Sequence, residues 1–181
     1  MRKQNQGFTL LELIVIIGIL GLTMAFAAPG LGEMIQNNRI SGAANDYVAA
    51  MQFAKAESAA RISPVTLCKR NNAGTGCTGG GDWSQGWIVF ADENGDSGVD
   101  AGETILLSHE ALDDRMTFGG SAGVTNSITY QPSGTTSVTN TEFLTVCDDR
   151  GFIDRSRGIL VTITGRGTVM KARDTGLNAC I

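Results

Sequence analysis

From Phe8 to Leu31 the chain carries one formal charge, Glu12. At about 1.5 Å per helical residue, a segment of this length covers roughly 36 Å, enough to cross a hydrocarbon core of about 30 Å with some tilt. The sequence therefore predicts a membrane-seated helix over residues 8–31. A carboxylate within such a helix costs about 2.5–3.5 kcal/mol, less near the helix end, and so requires a partner that offsets the cost. A cut between Gly7 and Phe8 would create one, an α-ammonium one helical turn from Glu12 on its own chain or a neighbour's. Two plainer readings compete. As an ordinary secretory signal, Ala25-Phe26-Ala27 offers a small-x-small site before Ala28. The apolar run, however, exceeds the roughly 7–15 residues of a signal core and contains Glu12. A simple anchor leaves Glu12 unexplained. The exported N-terminus separates the three: Phe8, Ala28 or Met1.

The stretch Lys3, Gly7, Phe8, Thr9, Leu10, Leu11, Glu12 resembles the type III signal of type IV pilins and type II secretion pseudopilins: a short basic leader, a Gly, then Phe-Thr-Leu-x-Glu. Glu12 falls at the fifth mature position and Pro29 at the twenty-second, where that family usually carries Pro. The resemblance implies that a prepilin peptidase removes residues 1–7, cutting between Gly7 and Phe8 and N-methylating Phe8. It also implies that Glu12 neutralises the terminus of an adjacent subunit during assembly.

About 150 residues follow the apolar run, enough for one head domain and too few to expect two. Loss of Arg2 and Lys3 with the leader takes the net charge from −4 to −6. An acidic head is a poor general ligand for nucleic acid, whose affinity comes largely from neutralised phosphates. The four cysteines, Cys68, Cys77, Cys147 and Cys180, lie in the exported part, where an even count favours two disulfides. Three pairings exist on paper. The local one is favoured: Cys68–Cys77 closes a small loop of Asn, Gly and Thr, and Cys147–Cys180 staples the C-terminal tail to an upstream strand. With no Cys-x-x-Cys and His109 the only histidine, zinc and thioredoxin-like chemistry have no footing.

After Pro29-Gly30-Leu31-Gly32, residues Ile40, Ala44, Tyr47, Met51, Ala54 and Ser58 recur at helical spacing, with Arg39, Asn45, Asp46, Gln52, Lys55 and Glu57 elsewhere. The helix is expected to run to about Arg61, stopped by Ser63-Pro64. Pro29 removes a backbone donor inside it and predicts a kink at the border of the two halves. Beyond Pro64 come eight short β-like segments: Pro64–Cys68, Gly86–Ala91, Thr104–Ser108, Met116–Phe118, Ser127–Gln131, Glu142–Cys147, Gly158–Thr164 and Thr168–Ala172. The expected fold class is α+β, with a long N-terminal helix packed on a small, mainly antiparallel β-sheet head. Its parts are residues 1–7 (leader), 8–31 (membrane and assembly helix), 32–62 (amphipathic helix of the head) and 63–181 (β-rich head).

The head extends the resemblance. Thr66-Leu67-Cys68, Cys77, Trp83, Gly86-Trp87-Ile88-Val89-Phe90, Asp92-x-Asn94-Gly95-Asp96, Asp100-x-Gly102-Glu103-Thr104-Ile105-Leu106 and a late Gly165-Arg166-Gly167 before Cys180 resemble the FimT/FimU group of minor pilins. That group is related to the H-type minor pseudopilins (GspH) of type II secretion. The resemblance implies a low-copy, non-catalytic subunit that primes pilus assembly in a tip complex. Its partners would be other minor pilins, the major pilin, the prepilin peptidase and the inner-membrane assembly platform. It would reside in the inner membrane with its head in the periplasm, then in the fibre.

Three motifs point to other chemistry. Asp92, Asn94, Asp96, Gly98, Asp100 and Glu103 reproduce the 1, 3, 5, 7, 9, 12 spacing of a calcium loop. Ser97 stands where that loop needs Gly, and strands flank it, so a hairpin connection is the plainer reading and no cofactor is otherwise implied. Gly119-Gly120-Ser121-Ala122-Gly123 spells a nucleophile elbow, but the only His precedes the Ser and no helix follows. Arg166, Lys171 and Arg173 lie in a basic C-terminal quarter. In some FimT-type pilins a Gly-Arg-x-Arg element binds DNA; here Gly165-Arg166-Gly167-Thr168 lacks the second Arg, and nearby aspartates offer pairing. DNA binding and a type II secretion role stand as alternatives.

Overall fold

The structure, a computed structural model, describes residues 8–152, 154–177 and 179–180, and for 27–29 the backbone alone. Secondary structure is helical (α1) over Leu10–Arg61. Eight strands follow: β1 Val65–Lys69, β2 Trp87–Ala91, β3 Ile105–His109, β4 Met116–Gly120, β5 Ser127–Tyr130, β6 Glu142–Asp148, β7 Arg157–Val161 and β8 Gly167–Lys171. Short 3₁₀ turns occupy Trp83–Gln85, Ala122–Val124 and Ala172–Thr175. The chain divides into two compact units, residues 1–38 and 39–181.

In the first unit the described apolar side chains of α1 are exposed, from Leu10 to Phe26 and from Leu31 to Ile35. Among the described residues no single helix qualifies by length and composition as a membrane span; Leu10–Phe26 and Gly30–Arg61 qualify together as a broken one. The break falls on 27–29, so the expected Pro29 kink lies outside the described side chains.

In the second unit, α1 turns the predicted face inward: Ile40, Ala44, Tyr47, Met51 and Ala54 are fully buried, and Ser58 nearly so. The helix ends where Ser63-Pro64 requires. The Ser63 N–H donates to Ser58 O at 3.4 Å, a Schellman-type closure with Ile62 at φ 55°, a left-handed position that glycine usually fills.

Where one small sheet was expected, two four-stranded sheets form, in the orders β3-β2-β1-β5 and β4-β6-β7-β8, with every pairing antiparallel. The aromatics explain the division. The Tyr47 ring meets Trp83, Trp87 and Phe118 edge-on at 5.0, 5.4 and 4.9 Å. One helical side chain thereby ties a residue of the first sheet (Trp87) to one of the second (Phe118), each contact adding about 0.5–1.5 kcal/mol beyond area burial. Leu67, Val89 and Ile128 fill this core from the first sheet; Leu144, Val146, Ile159 and Val161 fill it from the second. The other face of the second sheet is covered by the C-terminal segment. A Cβ at Gly158 would collide with Thr175, so β7 approaches the Ala172–Thr175 turn as closely as only Gly permits.

Candidate assembly interface

The first turn of α1 carries a side-chain cap and an acidic residue. Thr9 Oγ1 accepts a hydrogen bond from the Glu12 N–H at 3.2 Å, the side-chain cap that satisfies one orphan donor of a helix start. Glu12 is the acidic residue of that turn, placed where the helix dipole favours negative charge. Around it Phe8, Leu10 and Leu11 are 77%, 77% and 74% exposed. Thr9 was not singled out from sequence. The signal was available, because Thr9-Leu10-Leu11-Glu12 has the Ser/Thr-x-x-Glu form of a capping box. Gly7, and with it the cleavage site, lies outside the described residues, whereas Phe8 is described and exposed.

An apolar helical surface of this extent, Leu10 to Leu31 with Glu12 as its one charged residue, can do two things. It can sit in lipid, or pack against like helices, where Leu, Ile and Val side chains leave water at about 25 cal/mol per Å². In either setting Glu12 is the group that needs a cationic partner.

In the head both disulfides form, Cys68–Cys77 and Cys147–Cys180. The first joins the end of β1 to the Asn71–Asp82 loop, and the second fixes the tail to β6 beneath the Ala172–Thr175 turn.

The 92–103 loop is built around its own hydrogen bonds. Asp92 is fully buried; its carboxylate accepts from Thr66 Oγ1 at 2.6 Å, from the Gly95 N–H at 2.8 Å and from the Ser97 N–H at 3.1 Å. The Asn94 amide donates to Asp96 at 3.2 Å and Asp100 at 2.9 Å, so an N–H₂ group bridges the two carboxylates. Glu103 accepts from the Glu93 and Asp100 N–H groups. Gly98 donates its N–H to Asp96 and turns the chain. Among the described residues no group of three or more His, Cys, Asp or Glu is placed to hold a metal. Ser97 takes the positive φ (65°) that the sixth loop position requires.

Ser121 donates to the Glu142 carboxylate and accepts from the Phe143 N–H at 3.0 Å. His109 lies flat on the Trp87 indole, centroids 3.9 Å apart, with its Nδ1 at 2.7 Å from Glu110 O. Nucleophile and base are thus committed to different partners. Arg166 precedes β8 and Lys171 ends it, five residues and roughly 16 Å apart along a strand. Arg173 is ion-paired with Asp154.

Comparison with known proteins agrees with this architecture. Residues 43–167, more than half of the chain, match the family model of the type II transport protein GspH, and residues 2–28 match the prokaryotic N-terminal methylation motif. The pilin-like protein PilA1 of Thermus thermophilus is 32% identical over 105 residues, 58% of this chain and 60% of that protein. The type IV major fimbrial protein FimA of Dichelobacter nodosus is 32% identical over 93 residues, 51% of this chain and 49% of its own length. The chain thus spans about half to three-fifths of the curated relatives it matches. In fold, the type IV minor pilin FimU of Pseudomonas aeruginosa superposes with a TM-score of 0.56 at 17% identity, covering 81% of this chain and 98% of that one. With its methylation-type N-terminus and its two-sheet head on α1, the chain belongs to the GspH family of type IV pilin-like subunits.

Proposed function

We propose that the chain is a minor type IV pilin, a structural subunit that primes fibre assembly within a complex of minor pilins at the tip. The observation that carries this reading is Glu12, one carboxylate in the first, Thr9-capped turn of an otherwise uncharged, exposed apolar surface. Before assembly, residues 8–31 anchor the chain in the inner membrane with the head in the periplasm. Cleavage after Gly7 frees the Phe8 amine, and methylation keeps it cationic at neutral pH. In the fibre, Glu12 pairs with such an amine on a neighbouring pilin, and the pair removes the cost that either charge would meet alone among apolar helices.

The test is Glu12→Ala. Processing to a Phe8 N-terminus, read by N-terminal sequencing, continues as in the parent, while incorporation into sheared fibres, read by immunoblot, falls at least tenfold. Normal incorporation of the alanine variant overturns the reading.

A second reading has its own support, the GspH family match over residues 43–167: a minor pseudopilin of a type II secretion system. Deleting the chain in its host and scoring surface pili against secreted protein separates the two, since only one output is lost in each case.

A further inference from the structure

A sheet edge presents a row of backbone N–H and C=O groups that will pair with a strand laid beside it, and folded proteins cover or blunt such edges. The two sheets of the head end on four strands, β3, β5, β4 and β8. Three of these edges are closed to pairing. The chain after β5 folds back over it: the Ser137 N–H donates to Thr129 O at 2.9 Å, Ser137 Oγ accepts from the Thr129 N–H at 3.0 Å, and the Gln131 N–H donates to Thr135 O at 2.9 Å. On β4 the Phe118 N–H donates to Asp82 Oδ2 at 3.3 Å, and the Trp83–Gln85 turn packs alongside. β3 carries a bulge, its register shifting opposite Val89 and Phe90, and a bulge twists an edge out of line.

β8 has none of these devices. It contains no Pro and pairs with β7 without a register shift. The Thr162 N–H donates to Arg166 O at one end of the ladder, and the Ala172 N–H donates to Ser156 O at the other. That phase turns the polar groups of Thr168 and Met170 toward β7, and turns outward the N–H and C=O of Gly167 and Val169 and the N–H of Lys171. Among the described residues these outward groups have no hydrogen-bond partner. What fits them is another extended strand.

Charge narrows the choice of strand. Lys171 lies opposite Arg157 at a position between hydrogen-bonded pairs, where side chains stand closest, and like charges so placed destabilise a sheet. Asp154 and Asp148 are engaged by Arg173 and Arg150, and among the described residues no ion pair involves Arg157 or Lys171. A second copy laid two-fold on β8 would centre on Val169 and gather both Arg157–Lys171 pairs into one sheet. The edge therefore disfavours its own copy and favours a strand with a carboxylate opposite Lys171.

We propose that the β8 edge is the docking site for an extended acidic strand of a neighbouring fibre subunit. The strand adds to the sheet by main-chain hydrogen bonds to Gly167, Val169 and Lys171, and places a carboxylate beside Lys171. The main chain supplies attachment and the carboxylate supplies selection. That the partner is a fibre subunit rests on the assembly role proposed above, whereas the open edge does not.

The test uses the full chain in non-ionic detergent, with amide hydrogen exchange read by NMR. The probes are two blocked peptides long enough to span β8, one alternating threonine with glutamate and one alternating threonine with lysine. In the chain alone the Val169 and Lys171 amides are expected to exchange fast, and Thr168 and Met170 slowly. Excess glutamate peptide is expected to slow Val169 and Lys171 roughly tenfold or more, and the lysine peptide to leave them fast. Lys171→Glu is expected to reverse that preference. Val169→Pro deletes an outward N–H that β7 does not use, so it is expected to abolish protection at Lys171 while Thr168 and Met170 stay slow. Slow Val169 and Lys171 amides in the chain alone show an edge already covered and overturn the proposal. Protection by neither peptide overturns the docking site, and equal protection by both overturns its acidic selectivity. Each of these results is independent of Glu12, so the assembly role stands or falls on the incorporation of Glu12→Ala and the edge on peptide protection.

Discussion

Tyr47 shows how one residue organises the head and what that arrangement leaves unmet. Its ring is the meeting point of Trp83, Trp87 and Phe118, but its hydroxyl is buried with no hydrogen-bond partner among the described residues. A buried, unpaired polar group costs about 1–3 kcal/mol, so Tyr47→Phe keeps the ring contacts and stabilises the head by about 1 kcal/mol at neutral pH. Burial also raises the Tyr47 pKa well above its ordinary value of 10.0, with the Tyr130 charge adding to the rise, and burial raises Tyr130 as well. The sign follows from proton binding. Above pH 10 the unfolded chain releases both phenolic protons while the folded head keeps them, so stability falls as pH rises. Below pH 10 both tyrosines are neutral in either state and contribute no pH dependence. The expected slope is about 1.4 kcal/mol per pH unit for each tyrosine. Chemical denaturation at pH 8 and at pH 11 measures both effects: Tyr47→Phe is expected to be more stable than the parent at pH 8 and to lose about half as much on going to pH 11. An unchanged alkaline loss contradicts the assignment.

Among the elements, the C-terminal segment depends most on covalent support. Its turn, Ala172–Thr175, covers the outer face of β7, with Ala172 and Thr175 buried. The cross-link between Cys147 and Cys180 spans 33 residues, and closing such a loop stabilises by about 3–4 kcal/mol in the chain-entropy model. Replacing both cysteines by Ser is therefore expected to lower the unfolding free energy read from urea denaturation by that amount. Protease sensitivity should begin at the tail rather than at β1, whose own bridge to Cys77 remains. The elements themselves were largely legible. Alternating apolar residues between Gly, Asn and Asp clusters located eight strands within three residues of those observed, the end of β7 being the largest miss, and the Ile40 to Ser58 spacing found the buried helix face. The pairing order was not legible. β1 lies between β2 and β5 while β4 leaves for the second sheet, because long-range packing around Tyr47, Trp87 and Phe118 decides it and no local pattern encodes it. The Asp92–Glu103 loop shows the converse: its oxygens stand at metal-ligand intervals in the sequence, while in the fold the Asn94 amide and backbone N–H groups donate to the carboxylates, which spacing alone does not reveal.

At the scale of the whole molecule the two units obey opposite solvent rules. The head closes its core within residues 39–181, where Ile40, Tyr47, Leu67, Trp83, Phe118 and Ile159 are fully buried and, among its described large apolar side chains, only Ile62 and Ile163 stand strongly exposed. The first unit keeps its large apolar side chains, from Phe8 through Leu20 and Phe26 to Ile35, on the surface. A monomeric soluble protein rarely leaves such a patch uncovered, since contiguous exposed apolar areas above a few hundred Å² mark a partner or a lipid phase. The consequence is a sharp dependence on where the chain starts. A chain beginning at Glu33 is expected to sediment as a monomer in plain buffer with the cooperative unfolding of the head. The full chain under the same conditions is expected to self-associate unless detergent, lipid or other pilin helices cover residues 8–31. Analytical ultracentrifugation at matched concentrations distinguishes them. Self-association of the shortened chain would move the sticky surface into the head, and a monomeric full chain without detergent would remove the physical reason for a membrane-to-fibre transfer.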